Sequence, residues 1–287
     1  MTPLPASAPA VPRAAVTGMP AILYGTAWKQ ARTATLVTQA IGAGFRGIDA
    51  ACQPRHYDEP GVGAAIAASL GSGLSRADLF VQTKYTPPGG QDPQRTPYDR
   101  HAGVEAQVAQ SVAASLANLR CETLDCLLLH SPLPTAQLTL RAWRALEAAH
   151  AAGQARLLGI SNCYDVAGLQ ALWGEAAVKP VVVQNRFHAA TGYDRAIRAL
   201  CRERGMVYQS FWTLTANADL LAHPSVAGSA RRRGRTPAQI LFRYLTQSGV
   251  VPLTGTTSPE HMREDLEIFR FELEAAECTV IAAALDR

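Results

Sequence analysis

Residues 44–86 read GFRGIDAACQPRHYDEPGVGAAIAASLGSGLSRADLFVQTKYT, which is a short apolar run, a helical pattern and a second apolar run in succession. Short apolar runs bounded by glycine or polar residues are typical of buried strands, whereas longer segments with spaced apolar positions are typical of helices. The stretch therefore predicts a strand, a helix and a second strand. Each predicted strand carries a charged residue at its C-terminal end, Asp49 in the first and Lys84 in the second.

The same order of strand and helix repeats from residue 19 onward, and eight such units can be counted. Strands that are apolar on both faces and separated by helices indicate a parallel sheet covered by helices. Eight units that close on themselves form a barrel whose active site lies at the C-terminal strand ends. A doubly wound fold would need a GxGxxG loop after its first strand, but residues 23–28 read LYGTAW. We therefore predict an α/β protein with the (β/α)8 TIM barrel fold.

No interdomain linker interrupts this pattern, so we predict a single barrel domain over residues 19–287. Residues 1–18 are rich in Pro and Ala and contain no continuous apolar core, which makes them a poor signal peptide and a poor membrane anchor. We expect them to form a disordered leader. Residues 86–103 are rich in Pro, Gly and charge, and we expect a surface loop that contacts substrate over the mouth of the barrel.

The composition indicates a globular enzyme of the cytoplasm. A formal net charge of +4 from scattered arginines argues against a dedicated nucleic-acid surface. The one basic cluster, residues 231–235, could contact phosphate, but we favour a solvated helix end. The six cysteines show no CxxC spacing, and several lie in apolar runs, which fits a reducing compartment and no metal site.

Four polar residues follow or end predicted strands, namely Asp49, Tyr57, Lys84 and His130, and a barrel would bring them to one mouth. The chain has 27 Lys plus Arg but only three lysines, so a lysine inside the apolar run LFVQTKYT indicates chemistry rather than solubility. A buried ammonium needs a carboxylate partner, for which Asp49 is the candidate. We expect Lys84 to lower the pKa of Tyr57, making Tyr57 a general acid while His130 orients a carbonyl oxygen.

The later strand ends carry amides, hydroxyls and aromatic rings. Ser161, Asn162 and Gln184 could hold a nicotinamide carboxamide, and Phe211 or Trp212 could stack on its ring. Ordinary strand-end capping and core packing are the alternative interpretations for each of these residues taken singly.

Taken in order, these motifs resemble the aldo-keto reductase superfamily: GFRGIDAA with Asp49, FVQTK with Lys84, LLLHSP with His130, GISN with Ser161, and VVVQNRFH with Gln184. The resemblance covers about residues 19–273. It implies a (β/α)8 barrel that reduces a small carbonyl substrate with NADP(H), or with NAD(H), and a catalytic tetrad of Asp49, Tyr57, Lys84 and His130. It also implies a set of cofactor contacts: Gly25, Thr26, Ala27, Asp49, Ser161, Asn162, Gln184, Phe211, Trp212, Leu214, Gly255, Thr256, Thr257, His261, Glu264 and Asp265.

Two departures from the family pattern affect this interpretation. Residues 52–59 insert CQPRHYDE after Asp49, so that Tyr57 lies eight positions beyond it and His56 is a rival for the tyrosine position. We favour Tyr57, because a subgroup with Gln-Pro-basic-His-Tyr is similar and histidine lacks the chemistry.

The second departure concerns the end of the cofactor that carries the 2′-phosphate. Family members that favour NADPH place a lysine and a later arginine after the last strand, whereas this chain reads PLTGTTSPEH, with His261 at the arginine position and Arg263 as a possible substitute. Glu264 and Asp265 match a family Glu-Asn pair that contacts adenine, with Asp in place of Asn. The preference between NADPH and NADH is therefore open.

Two other functions are compatible with the residues. Lys84 could form a Schiff base, as in barrel aldolases. The barrel could also be a cofactor-binding, redox-sensing subunit with slow turnover. We expect a monomer or weak homo-oligomer with no nucleic-acid or membrane partner.

Overall fold

A computed structural model describes residues 11–14 and 17–285 of the chain. Its eight strands pair in parallel and in sequence order, and the first strand also pairs with the last, at Leu23 and Leu253, so that the sheet closes into a barrel. The fold is the predicted (β/α)8 TIM barrel. No helix of the described residues is long and apolar enough to cross a lipid bilayer.

The strands are three to seven residues long. They are β1 (Leu23–Gly25), β2 (Gly47–Asp49), β3 (Phe80–Tyr85), β4 (Leu124–Leu129), β5 (Ala155–Ser161), β6 (Val182–Arg186), β7 (Val207–Phe211) and β8 (Val250–Thr254).

The helices surround the barrel. They are α1 (Thr33–Ala43), α2 (Glu59–Leu70), α3 (Val104–Leu119), α4 (Ala136–Ala151), α5 (Val166–Glu175), α6 (Arg195–Arg204), α7 (Ala218–Ala222), α8 (Pro224–Arg233), α9 (Pro237–Gln247), α10 (Pro259–Leu266) and α11 (Ala275–Ala284). Between β7 and β8 the sequence pattern indicated one helix, α9, but the structure has α7 and α8 as well. Both are short, and Pro224 starts α8 directly after α7 ends.

Two apolar cores hold the barrel together. A small core fills the lower interior and includes Met19, Leu23, Phe80 and Leu128, all at most 1% exposed. A larger core lies between the outer faces of the strands and the helices, with Trp143 fully buried within it. Because the interior is apolar only at its lower end, the polar side chains of the strands are left for the opposite, C-terminal end.

The lower end of the barrel is covered by residues expected to belong to the disordered leader. Among residues 11–14, 17 and 18, the backbone of Arg13 pairs with Pro20, and the Ala14 amide donates to the Met19 carbonyl at 2.9 Å. These residues are therefore ordered by a tight reverse turn that the composition did not indicate. Residues 1–10, 15 and 16 lie outside the described part of the chain.

The arginine cluster at residues 231–235 ends a helix, as expected, and Arg231 and Arg232 are exposed, but two of its arginines also pair with a carboxylate. Arg233 lies 2.5 Å from Glu277 of α11, and Arg232 contacts the same carboxylate at 3.4 Å. The Arg233 guanidinium lowers the pKa of Glu277 to about 2. The cluster thus ties α8 to α11.

Gly63 marks the closest approach of α2 to α3. A Cβ atom added there would lie 2.0 Å from the backbone oxygen of Asn118, which no side-chain motion can relieve. We expect Gly63→Ala to lower the free energy of unfolding by roughly 1–3 kcal/mol through forced separation of the helices. Urea denaturation followed by circular dichroism measures this change.

Gly42 in α1 provides the matched control, because a Cβ there meets no atom within 4 Å. Gly42→Ala should leave stability unchanged or raise it by up to about 1 kcal/mol, since alanine is the better helix former. Equal destabilisation by the two substitutions would contradict the packing argument.

Candidate active site

Asp49 and Lys84 form a buried ion pair at the upper end of the barrel interior. The Lys84 ammonium lies 2.8 and 2.7 Å from the two carboxylate oxygens of Asp49, and it also donates to the backbone oxygen of Ala50 at 2.8 Å. Their side chains are 1% and 3% exposed. All three ammonium protons therefore have acceptors, which is the condition for a buried charge to persist.

Three glutamines support the pair from below. Gln82 and Gln184 each donate from Nε2 to Asp49 Oδ1, at 2.7 and 2.9 Å. Each donates again to Oε1 of Gln209, at 2.8 Å in both cases. Gln209 in turn donates to Gln82 at 3.0 Å and to the sulfur of Met19 at 3.3 Å. We call Gln82, Gln184 and Gln209 the glutamine platform, and through it Asp49 is fixed from β3, β6 and β7 together.

Burial lowers the pKa of the Lys84 ammonium, and the charge of Asp49 opposes this change. The lysine that the sequence singled out thus has the expected partner in the expected place. A sequence pattern could not have identified Gln82 and Gln209 as its support, although glutamine inside the apolar strands LFVQTK and MVYQSF was a visible signal.

Tyr57 lies in a turned segment between β2 and α2. Its amide donates to the Gln53 carbonyl at 3.0 Å, and Asp58 caps α2 by accepting from the Gly61 amide at 3.0 Å. Because the residues on both sides are bonded, the direction of the Tyr57 side chain is well defined. Its ring lies 5.3 Å from the Lys84 ammonium and meets the His130 ring edge-on, with ring centroids 6.1 Å apart.

His56 faces a different way. Its ring stacks on Trp28 with centroids 3.8 Å apart, and its Nδ1 lies 2.9 Å from the side-chain oxygen of Gln53. Of the two residues considered for the tyrosine position, Tyr57 is therefore the one that contacts both Lys84 and His130.

The expected effect on the acidity of Tyr57 is wrong in sign. Burial raises the pKa of Tyr57, and the charge of Asp49 raises it further. Lys84 was expected to lower this pKa, but its ammonium is directed at Asp49 and Ala50, and no hydrogen bond joins it to Tyr57 among the described residues. Tyr57 consequently keeps its proton throughout the neutral range.

His130 follows β4, and the hydroxyl of Thr86 fixes its ring at 2.6 Å from Nδ1. Burial lowers the pKa of His130 well below its usual value, and the positive charge of Lys84 lowers it further. The imidazole is therefore neutral near pH 7. If Thr86 donates to Nδ1, the tautomer with its proton on Nε2 follows, and Nε2 has no partner among the described residues.

The expected carboxamide-binding residues lie at the ends of neighbouring strands. Ser161 and Gln184 are 1% and 2% exposed and are register partners, and Asn162 donates to the His130 carbonyl at 2.8 Å. The Gln184 amide nitrogen is used by Asp49 and Gln209, which leaves its Oε1 without a partner among the described residues. A free amide oxygen beside the Ser161 hydroxyl offers an acceptor and a donor, which is the set that a carboxamide requires.

The aromatic residues at the end of β7 differ in exposure. Phe211 packs partly on the lower interior core, and Leu214 is partly buried. Trp212 is 46% exposed, has a φ of 55°, and stacks against the guanidinium of Arg186 at 4.2 Å. Phe211 is thus the ring nearer the barrel interior, and Trp212 lies on the rim.

The ends of β1 and β8 meet at the rim. Lys29 donates from Nζ to the backbone oxygen of Gly255, and Tyr24 donates from its hydroxyl to Thr256 O at 2.8 Å. Thr26 is fully buried and bonds the Asp49 carbonyl through its amide at 3.0 Å and its hydroxyl at 2.9 Å. In contrast, Gly25, Ala27, Gly255, Thr256 and Thr257 are partly or fully exposed, and they leave a surface on which a ligand could lie.

Only part of the expected adenine site faces outward. His261 is exposed at the first turn of α10, and Glu264 is partly exposed. Asp265 points inward, is 4% exposed, and accepts from the Thr254 hydroxyl at 2.7 Å. Its expected contact with adenine does not match this position, because the carboxyl is turned toward the strand. Burial raises its pKa to about 7.

Residues 86–103 form a tethered wall beside His130. Gln91 donates to the Cys52 carbonyl at 2.8 Å, and Tyr98 donates to the Thr86 carbonyl at 2.7 Å. Gln53 donates to Gly90 O at 2.6 Å. These hydrogen bonds hold the loop close to Thr86, the residue that orients His130, and its contact with substrate stays a prediction.

Comparisons with known proteins agree with this geometry. The model of the Aldo/keto reductase family matches residues 21–286. An uncharacterized oxidoreductase of Bacillus subtilis is 30% identical over 83% of this chain and 78% of its own length. The 2,5-diketo-D-gluconic acid reductase B of Corynebacterium sp. is 31% identical over 85% of this chain and 80% of its own length.

Solved structures are similar over nearly the whole chain. The crystal structure of an aldo/keto reductase from Brucella melitensis has a TM-score of 0.80 at 27% identity and covers 96% of this chain and all of its own. The Bombyx mori aldo-keto reductase, solved in complex with NADP, has a TM-score of 0.81 at 25% identity and covers 96% of this chain and 93% of its own.

The buried Asp265 should make the stability of the fold depend on pH. A carboxyl whose pKa is raised to about 7 in the folded chain binds a proton more readily when folded, so stability falls as the pH rises from about 4 to about 7. Asp265→Asn removes this titration and can still accept from Thr254. We expect it to raise the free energy of unfolding by roughly 2–4 kcal/mol at pH 8 and by little at pH 4.

Urea denaturation of both proteins at pH 4, 6 and 8 measures this difference. Glu264→Gln, on the adjacent and more exposed residue, is the control and should show no comparable dependence on pH. A constant difference across the range would contradict the raised pKa of Asp265.

Proposed function

Because the chain belongs to the Aldo/keto reductase family of oxidoreductases, we propose that it reduces aldehydes or ketones to alcohols with a nicotinamide cofactor and with Tyr57 as the proton donor. The observation that carries the proposal is the contact of Tyr57 with both Lys84 and His130 beside the Asp49 ion pair. Such a group of an acid, a cation and a neutral imidazole at a barrel mouth is suited to delivering a proton to a carbonyl oxygen.

The bound cofactor would supply the hydride that attacks the carbonyl carbon. The Tyr57 hydroxyl would give its proton to the carbonyl oxygen, and its high pKa keeps that proton available at neutral pH. The neutral His130 would donate from Nε2 to the same oxygen and so fix its position. The ion pair of Asp49 and Lys84, whose ammonium lies 5.3 Å from the Tyr57 ring, would hold that ring in place beside His130.

Lys84 itself is poorly suited to act as a nucleophile. A Schiff base requires a neutral amine with a free lone pair, but all three ammonium protons are donated to Asp49 and Ala50. The aldolase alternative therefore lacks a supporting observation. A redox-sensing subunit with slow turnover has none either.

NADP(H) is the cofactor that we propose, with NAD(H) as a second possibility. The Bombyx mori relative was solved with NADP, and the free oxygen of Gln184 beside the Ser161 hydroxyl fits the carboxamide of either dinucleotide. Ser161, Asn162 and Gln184 would hold that end, while Gly255 and Thr257 would lie along the other. The six cysteines are all free, which is consistent with the reducing cytoplasm that we also propose.

Tyr57→Phe tests the catalytic assignment. We expect kcat/KM for a small aldehyde to fall by roughly 10²- to 10⁴-fold, because the proton donor is removed while the ring is kept. Binding of NADPH, followed by fluorescence, should be unchanged. His56→Ala is the matched control on the same segment and should keep most of the activity. Retained activity in the Tyr57 variant would show that another group donates the proton.

Cofactor preference is the second test. Residues 255–259 contain no lysine or arginine, so the 2′-phosphate would lack a cationic clamp in that segment. A hydrogen bond to a charged group contributes about 1.5–3 kcal/mol, so a cationic clamp would favour NADPH by roughly 10- to 150-fold. Without the clamp we expect the Kd values of NADPH and NADH to differ by no more than about tenfold.

Arg263 is the exposed arginine that could substitute for the clamp. If it does, Arg263→Ala should raise the Kd of NADPH and leave the Kd of NADH unchanged in the same fluorescence titration. A preference for NADPH of more than about a hundredfold that survives this substitution would contradict the missing clamp. Failure of both cofactors to bind would contradict the proposed function.

A further inference from the structure

Arg186 ends β6 at the mouth of the barrel, two residues after Gln184. Gln184 points into the barrel, where it bonds Asp49, whereas Asn185 points outward and bonds the Cys163 carbonyl and Asp194. Side chains two apart on a strand share a face and are separated by about 6–7 Å along it. Arg186 therefore lies on the inner face, one step above the layer that holds Asp49.

The guanidinium of Arg186 has no anionic partner within residues 11–14 and 17–285. It makes no ion pair and no hydrogen bond with the described residues, and its Nε is buried without a partner. Arg243 also has a buried Nε without a hydrogen bond, but its guanidinium is paired with Glu272 at 3.5 Å. A partly buried arginine that lacks any carboxylate is costly, since its donors have lost water without gaining an acceptor.

The side chain is nevertheless held in one place. Its Cζ lies 4.2 Å from the centre of the Trp212 ring, which stacks on it, and β6 is fixed nearby because the Arg186 amide donates to the Tyr164 hydroxyl at 3.1 Å. Trp212 and Tyr164 are 46% and 39% exposed, unusually open for large aromatic residues in this chain. A planar cation held on an aromatic face, with its outer donors free, is preorganised for a bidentate oxyanion.

The position of Arg186 relative to the proposed cofactor-binding residues indicates which molecule could supply the oxyanion. Arg186 is the register partner of Phe211 in β7, and it lies two residues beyond Gln184 on β6, whereas Gly255, at the other end of the proposed cofactor path, follows β8. A dinucleotide extended between those ends would pass its diphosphate over the end of β7, where Trp212 lies. A carbonyl substrate near Tyr57 and His130 could direct a carboxylate to the same rim.

We propose that Arg186 and Trp212 form an oxyanion-binding site at the barrel mouth, which takes either the diphosphate of the cofactor or the carboxylate of an acidic carbonyl substrate. The choice between these two sources rests on the proposed function, but the presence of the anion site does not. Arg186 is a binding residue in this account and takes no part in proton transfer.

The test compares Arg186→Gln, which removes the charge, with Arg186→Lys, which keeps it but loses the planar pair of donors. Calorimetry measures the Kd of inorganic pyrophosphate and of NADP+, which needs no turnover. Steady-state kinetics compare an acidic aldehyde, para-carboxybenzaldehyde, with its neutral methyl ester, and the KM is determined for each. Melting temperatures of both variants check that they fold. Arg235 stacks on Phe271 away from the barrel mouth, so Arg235→Gln controls for the loss of one positive charge.

The two sources give different results. If the diphosphate is bound, Arg186→Gln should raise the Kd of pyrophosphate and of NADP+ by roughly tenfold or more. The KM values of the acidic aldehyde and of its ester should then change by the same factor. If a substrate carboxylate is bound, the acidic aldehyde alone should show a KM that rises by that factor, while the ester keeps its wild-type value. In both cases Arg186→Lys should fall between the wild type and Arg186→Gln.

An unchanged Kd for pyrophosphate and NADP+, together with an unchanged ratio of the two KM values, would overturn the proposal. If the wild-type protein binds pyrophosphate but neither NADP+ nor NADH, the proposed function is wrong and the anion site remains. If it binds NADP+ and reduces both aldehydes but Arg186→Gln behaves as wild type, the anion site is wrong and the proposed function remains.

Discussion

The ion pair between Asp49 and Lys84 is the constraint on which the rest of the barrel mouth depends. Two opposite charges at most 3% exposed persist only if every donor and acceptor around them is matched, and this requirement reaches well beyond the pair. It explains why two strands contribute glutamines to one carboxylate while a third strand supports those glutamines, and why the Ala50 carbonyl is turned toward the ammonium. Burial, with a smaller contribution from the charges of the pair, also sets the state of the neighbouring groups: it lowers the pKa of His130, which stays neutral beside a cation, and it raises the pKa of Tyr57, which stays protonated beside an anion.

The sequence predicted the repeating architecture well because each strand and helix has its own local pattern. Alternating apolar runs and helical segments indicated eight units, and these are the eight strands of the closed barrel. Short helices such as α7 carry too few residues for a period to be recognised, so the region before α9 was under-predicted. The turn at Arg13 and Pro20 was missed for a related reason, since backbone bonds within a short segment rich in Pro and Ala leave no compositional signal.

The sequence predicted which residues form the candidate site but not how their side chains are oriented. Asp49 and Lys84 lie in the last two residues of their strands and His130 directly follows its strand, so the barrel alone brings them together. Which way a side chain turns depends on neighbours from other strands: Asp265 faces Thr254 instead of the surface, and His56 faces Trp28 instead of Lys84. The predicted direction of the change in the pKa of Tyr57 was wrong for a similar reason. The prediction considered the nearby cation but not the burial of the hydroxyl, which raises this pKa.

The contact between Met19 and Gln209 connects the two ends of the molecule. Met19 belongs to the segment that closes the bottom of the barrel, yet its sulfur accepts from a glutamine whose own oxygen accepts from both amides that hold Asp49. The barrel axis is thus an uninterrupted polar column standing on an apolar base. A change at residue 19 would therefore act on the reacting end from below, although Met19 itself lies at the opposite end of the barrel.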